Sequence, residues 1–327
     1  MLATSVLAAL VVCVGFVQSA NATAWILPKG KLVLGLAGDV SFATSEFLPD
    51  GEHRDFPLHG RFESYSLQLS GRYGLPHGFE LSVQTAIKGV VFQQDPVILV
   101  GDPPPSTTDG YRAAVYDFSE RRLGLADLYI AVGHQHLKAP LRISSFLEVK
   151  LPTGYDKPQA TFRGDDPLPQ NQTDDVSLGD GQLDLTYRLH LGYVFKPTLT
   201  ILELAAGYRV RVNGPGHQVI GRFKLGQLIS RYVVLLGGVD TALTLFSGDV
   251  IGKSFIAKDA SVPAASFGLD NVEQRLLRLD RTFVSVSGGL IARVAGREWV
   301  LRVSRVLWGK NYSQLTSLTL GVLMSFG

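Results

Sequence analysis

The sequence predicts an all-β fold, a transmembrane up-and-down antiparallel β-barrel of about twelve strands with short periplasmic turns and long extracellular loops. Three observations carry that expectation. Polarity flips residue by residue through one segment after another, the connections between segments alternate short and long, and the chain opens on an apolar leader. Composition agrees: 46% of the 327 residues are hydrophobic, only 18% are charged, and 35 are glycine, which suits strands and turns better than helices. A net charge of +2 gives bulk electrostatics no basis for binding nucleic acid.

The leader, MLATSVLAALVVCVGFVQSANA, carries no charge and ends in Ala20-Asn21-Ala22, a small-x-small cleavage site. Residues 1–22 therefore read as a signal peptide and 23–327 as the barrel. No Lys or Arg precedes the apolar core, so an uncleaved anchor is the alternative. Val12 is too bulky for lipoprotein processing at Cys13. Cleavage removes the one cysteine, and with it disulfides, thiol catalysis and cysteine metal sites. No cofactor and no metal are expected.

The first strand is read near 31–44, where Leu32, Leu34, Leu36, Val40 and Phe42 oppose Lys31, Asp39 and Ser41. The next two form a hairpin across GLPHG: Tyr65, Leu67, Leu69 and Tyr73 alternate with serines, Gln68 and Arg72, then Phe79, Leu81, Val83 and Ile87 with Glu80, Ser82, Gln84 and Lys88. A fourth lies near 123–136, and a fifth sets Ile143, Leu147 and Val149 against Arg142, Glu148 and Lys150. In the sixth, Leu183, Leu185, Tyr187, Leu189 and Leu191 alternate with Gln182, Asp184, Arg188 and His190. The seventh opposes Leu202, Leu204, Tyr208 and Val210 to Glu203, Arg209 and Arg211. A weaker signal marks 218–229, Val233, Leu235, Val239 and Leu243 oppose Asp240 and Thr244 over 232–246, and three final strands follow around Val284–Arg293, Trp299–Ser304 and Ser317–Phe326.

Short turns fall at GLPHG, LKAP, VFKPT, SRY and AGRE, whereas the long connections cover 45–61, 90–122, 152–179 and 246–281. A dozen oily strand faces with no helices to cover them need another partner. Closing the sheet turns them toward lipid, removes every unpaired edge and leaves polar residues inside.

Three stretches resemble the outer-membrane transporter family named for the phenol meta-cleavage (MetA) degradation pathway. They are Gly124-Leu125-Ala126-Asp127-Leu128, where Ala126 replaces a usual glycine, Lys150-Leu151-Pro152-Thr153-Gly154, and Gly179-Asp180-Gly181-Gln182-Leu183-Asp184. The resemblance covers about a fifth of the chain and implies a β-barrel without specifying a substrate. Read from the residues alone, Pro152 to Gly154 end a strand, while Gly179 and Gly181 begin one.

Alternation points Arg72, Lys88, Arg142, Glu148, Lys150, Asp184, Arg188, Glu203, Arg209 and Arg211 inward as lumen-lining candidates. Either a hydrated pore with slight anion preference or a salt-bridged network satisfies such charges. Only TAWILPKG separates the leader from the first strand, so any gate is expected from the long loops. Pro96–Val100 and Val272–Leu279 are apolar loop stretches, suited to packing at the rim or to a greasy site for an aromatic solute. The loop acids Asp156, Asp165, Asp166, Asp174, Asp175 and Asp180 fit no calcium-loop spacing and read as solvated surface.

The expected function is a passive, porin-like channel for small solutes, apolar or aromatic compounds among them, in the outer membrane of a Gram-negative bacterium. A largely closed structural or surface-interaction barrel is the alternative, and an outer-membrane hydrolase the second. His59 lies five residues before Ser64, but Ser64 points inward and no catalytic residues are assigned. The expected partners are outer-membrane lipid, a small solute and the barrel-assembly machinery during insertion.

Overall fold

The computed structural model describes residues 23–98, 107, 115–116, 119–155, 178–212, 214–259, 261 and 271–327. The leader at 1–22 and most of the aspartate loop, 156–177, lie outside the described residues.

Twelve strands form the wall. They are β1 (Leu32–Ala43), β2 (Arg61–Gly74), β3 (Phe79–Gln93) and β4, which is built from two pieces, Glu120–Leu125 and Leu128–Leu137. Then come β5 (Leu141–Leu151), β6 (Asp184–Phe195), β7 (Thr200–Arg211), β8 (Gln218–Ser230) and β9 (Val233–Thr244). β10 (Thr282–Val294), β11 (Arg297–Lys310) and β12 (Thr316–Phe326) complete the set. Each pairs antiparallel with its chain neighbour, and β1 pairs with β12 from Leu32↔Phe326 to Phe42↔Thr316, so the cylinder closes without an edge. Each predicted strand has its counterpart in the wall. Smaller ladders at the long-loop end join Ser45–Phe47 to His53–Asp55 and to Tyr312–Ser313, and Val250–Ala257 to Val272–Arg278.

The alternation has the predicted sense. Along β1, Leu34, Leu36, Val40 and Phe42 are exposed on the outer face, while Val33, Ala37, Asp39 and Ser41 are buried inside. Exposed aromatics gather toward both ends of that outer face. Tyr73, Phe79, Tyr232 and Trp299 lie near the short turns, and Phe42, Tyr65, Tyr187, Tyr208 and Trp308 toward the long loops, the placement expected of interfacial girdles. One short turn shows the local chemistry. Ala295 (φ 51°) and Gly296 (φ 73°) both take left-handed backbone, the type I′ geometry whose twist matches the strands it joins.

Two expectations need correction. The interior is not polar throughout: near the short turns Val33, Ala37, Ile201, Val234, Leu236, Ile291, Val300 and Leu323 point inward and form a hydrophobic core. Nor must closure come only from the long loops. Residues 23–27, TAWIL, fold back into the barrel and sit at its centre, Ala24 and Trp25 among the most buried residues of the chain. The segment enters past the short-turn rim, where the Gly30 N–H donates to Gly74 O at 2.8 Å. Pro28 O lies so close to Gly74 that a side chain there would collide with it.

Candidate functional site

The interior divides into three zones. At the short-turn end, every strand helps to hold residues 23–27. The inner face of β2 to β5 supplies polar anchors. Arg72 Nη2 donates to Trp25 O at 3.0 Å, and Glu80 Oε2 accepts the Leu27 N–H at 2.8 Å. Gln135 bridges Ala24 O and the Ile26 N–H, each at 3.2 Å, and Ser144 Oγ donates to Thr23 O at 2.8 Å. Arg72 and Glu80 also pair bidentately at 2.7 and 2.9 Å, fully buried, so the ion pair that fixes the segment is itself satisfied. The remaining strands supply apolar contact: Val194, Ile201, Leu228, Val234, Ile291, Val300, Leu323 and Val33 belong to the cluster around Trp25. On β6 a side chain at Gly192 would collide with Ala24 and the Trp25 ring, so glycine is what admits the segment there.

At mid-height the candidates pair across strands. Arg188 meets Glu148 at 3.0 Å, His190 Nδ1 meets Glu203 at 3.0 Å, and Lys224 approaches Glu203 at 3.9 Å. Asp240 takes both Arg222 and, at 2.9 Å, Arg302.

Toward the long loops the three stretches that carried the resemblance meet in one place. Lys150 is held by Asp184 at 2.8 Å, by Asp180, and by Asp127 at 3.9 Å. Arg211 pairs with Asp180 and approaches Asp184 at 3.5 Å, while its Nη1 donates to Leu279 O at 2.9 Å. The Tyr155 hydroxyl binds Asp127 and receives the Gly181 N–H at 3.2 Å. Asp127 sits where β4 is interrupted, and Thr153 Oγ1 caps that gap by donating to Ala126 O at 2.6 Å. These residues lock the described ends of the 152–183 connection, 152–155 and 178–183, onto the wall. Asp180 is therefore no solvated surface acid, as expected from sequence, but a strut between two cations.

Burial opposes ionisation of Asp180, yet Lys150, Arg211 and Arg281 outweigh it and hold its carboxyl at about 2. A folded value below the unfolded one of about 3.9 contributes stability at neutral pH, and that contribution is lost as pH falls from about 4 through about 2. Hydrogen exchange at Gly181 and Gln182, corrected for intrinsic rate, is expected to stay slow at about pH 3 and to quicken near pH 2. In Asp180→Asn it should be fast at both. Unchanged protection in that variant would remove Asp180 from the anchor.

Of the ten candidates, Arg72 belongs to the short-turn zone, Glu148, Arg188 and Glu203 to the middle, and Lys150, Asp184 and Arg211 to the upper junction. Lys88 donates to Leu178 O at 3.0 Å beneath that junction. Arg142 stands opposite Gly192 and joins none of the ion pairs found among the described residues. Among the described residues Arg209 bonds only to neutral oxygens, Gln218 Oε1 at 3.0 Å and Thr186 Oγ1 at 3.4 Å.

Above His190 an internal cavity of about 350 Å³ opens along β6 to β12 and β1 up to Tyr312 and Leu315, with Arg188, Arg209 and Arg222 in its wall. Most side chains of the two apolar loop stretches lie outside the described ones; among those described, Leu279 is buried and Pro96 exposed.

Solved structures share this architecture. An outer membrane channel from Pseudomonas putida F1 superposes with a TM-score of 0.60 at 12% identity, covering 92% of this chain and 97% of that one. The KdgM porin in complex with oligogalacturonate (TM-score 0.44, 7% identity, 90% and 99% covered) and the CymD monoaromatic hydrocarbon channel (0.40, 9%, 92% and 89%) are more distant. At these identities the likeness is one of fold: a closed outer-membrane barrel. No protein-family profile and no curated protein matches the sequence.

Proposed function

We propose that the protein is a passive channel for small solutes in the outer membrane of a Gram-negative bacterium, a member of the barrel type that its three convergent motifs resemble. The observation that carries the reading is the 350 Å³ cavity inside a closed, lipid-facing cylinder, walled by charged side chains and reaching toward the long loops. A merely structural barrel of this width has no need of an internal space lined by arginines. In this reading the wall contacts lipid, the long loops face outward, and residues 23–27 set the resistance at the periplasmic end.

One observation favours the closed-barrel alternative: those same five residues fill the short-turn end. Planar bilayers separate the two. The channel reading expects small discrete conductance steps, and a bilayer silent over repeated insertions would favour the closed barrel. The same recordings test the lining. Reversing Lys150 or Arg188 would set like charges against their acid partners and disturb assembly. Arg209 has no acid partner among the described residues, so Arg209→Glu is the cleaner probe and should shift the reversal potential toward cation preference. An unmoved potential would take Arg209 off the conduction path.

A further inference from the structure

The cavity is chemically lopsided. Among the described residues its polar wall carries Arg188, Arg209 and Arg222 against the single carboxylate Asp240. That carboxylate is already shared, since it also receives Arg302 at 2.9 Å. Arg188 is held by Glu148 outside the cavity. Arg209 meets the space with no acid partner among the described residues, only the two neutral oxygens named above. The same lining also holds an aromatic pair. Phe283 stacks on Tyr312 with ring centroids 4.9 Å apart and an interplanar angle of 23°. His190, in the same lining, keeps its buried Nε2 without a hydrogen-bond partner.

A cation-rich lining that also holds a stacked aromatic pair, in a space at the small end of ligand pockets (~300–1,000 Å³), selects a small amphipathic anion. A guanidinium fork matches a carboxylate in geometry as well as charge, and partial exclusion of water strengthens the contact. The ring pair offers an apolar surface to the remainder of the molecule. We propose that this cavity binds small organic acids consisting of a carboxylate on a single aryl or comparably sized apolar body, the carboxylate on Arg209 and the body against Phe283 and Tyr312. The inference deepens the channel reading and rests on it for how a solute reaches the site.

The test uses the mature chain in non-ionic detergent, titrated calorimetrically with benzoate, with benzamide as its neutral counterpart and with acetate as the anion without a ring. Benzoate is expected to bind at least about tenfold tighter than either. Arg209→Gln should weaken benzoate about tenfold and leave benzamide unchanged, whereas Tyr312→Ala should weaken benzoate and leave acetate unchanged. Benzoate binding no tighter than benzamide, or indifferent to Arg209→Gln, overturns the assignment. Bilayer recordings keep the two ideas apart. Conductance without benzoate selectivity defeats the site alone, and selective binding by a silent protein defeats the channel reading alone.

Discussion

Trp25→Ala is expected to raise single-channel conductance severalfold. The indole is the largest fully buried side chain of the inner segment, and it sits in an apolar cluster to which β1 and β6 to β12 contribute. Truncating a buried tryptophan to alanine removes about 3–5 kcal/mol of packing, which loosens residues 23–27 as well as vacating the volume of the ring. The wall does not depend on that contact, because its ladder of strand pairs runs unbroken from β1 to β12. The variant should therefore still assemble while its periplasmic end becomes leaky. Trp299→Ala is the control, since Trp299 lies on the lipid face of β11. If both variants conduct like the parent protein, residues 23–27 do not limit passage.

A second large effect is expected at the other support of the same segment. Glu80 accepts from Arg72 through both oxygens and also takes the Leu27 N–H. Glu80→Gln leaves the Arg72 guanidinium buried without a counter-charge, which is expected to cost about 3–5 kcal/mol. The double variant Arg72→Met with Glu80→Leu strands no charge, so it should recover most of that loss. Recovery stops short of complete, because Trp25 O and the Leu27 N–H each forfeit a partner, at about 1–3 kcal/mol apiece. Denaturant unfolding in lipid vesicles measures both. A single variant within about 1 kcal/mol of the parent protein would mean that water reaches Arg72.

Period two made the wall readable before any coordinates, because each strand has lipid on one side, and outward leucines such as Leu34, Leu67 and Leu189 could not also face water. The inner face was less legible. Alternation gives a residue's side, never its height along the strand, so it grouped Arg72 with Lys150 although they serve opposite ends of the barrel. A signal for the apolar zone was nonetheless present. Val33 between Leu32 and Leu34, the run Val233 to Leu236, Ile291 after Leu290, and Val300 between Trp299 and Leu301 break the alternation, each near a short turn. Strands oily on both faces require something oily within, and Trp25-Ile26-Leu27 was the nearby candidate. Asp180 was misread for a different reason. Its partners Lys150 and Arg211 lie 30 and 31 residues away in sequence, and local composition carries no trace of them. The cavity emerges from eight strands at once, so no single stretch announces it.

The nest around Trp25 has a consequence for biogenesis. Its members come from the opening strand, Val33 and Ala37, and from the closing one, Leu323. An incomplete cylinder can offer residues 23–27 only part of their lodging, the polar anchors on β2 to β5, so the apolar part of the nest is complete only when the last hairpin arrives. Head and tail of the polypeptide then settle in a single late event, and the finished wall and its inner stopper are two outcomes of that one step.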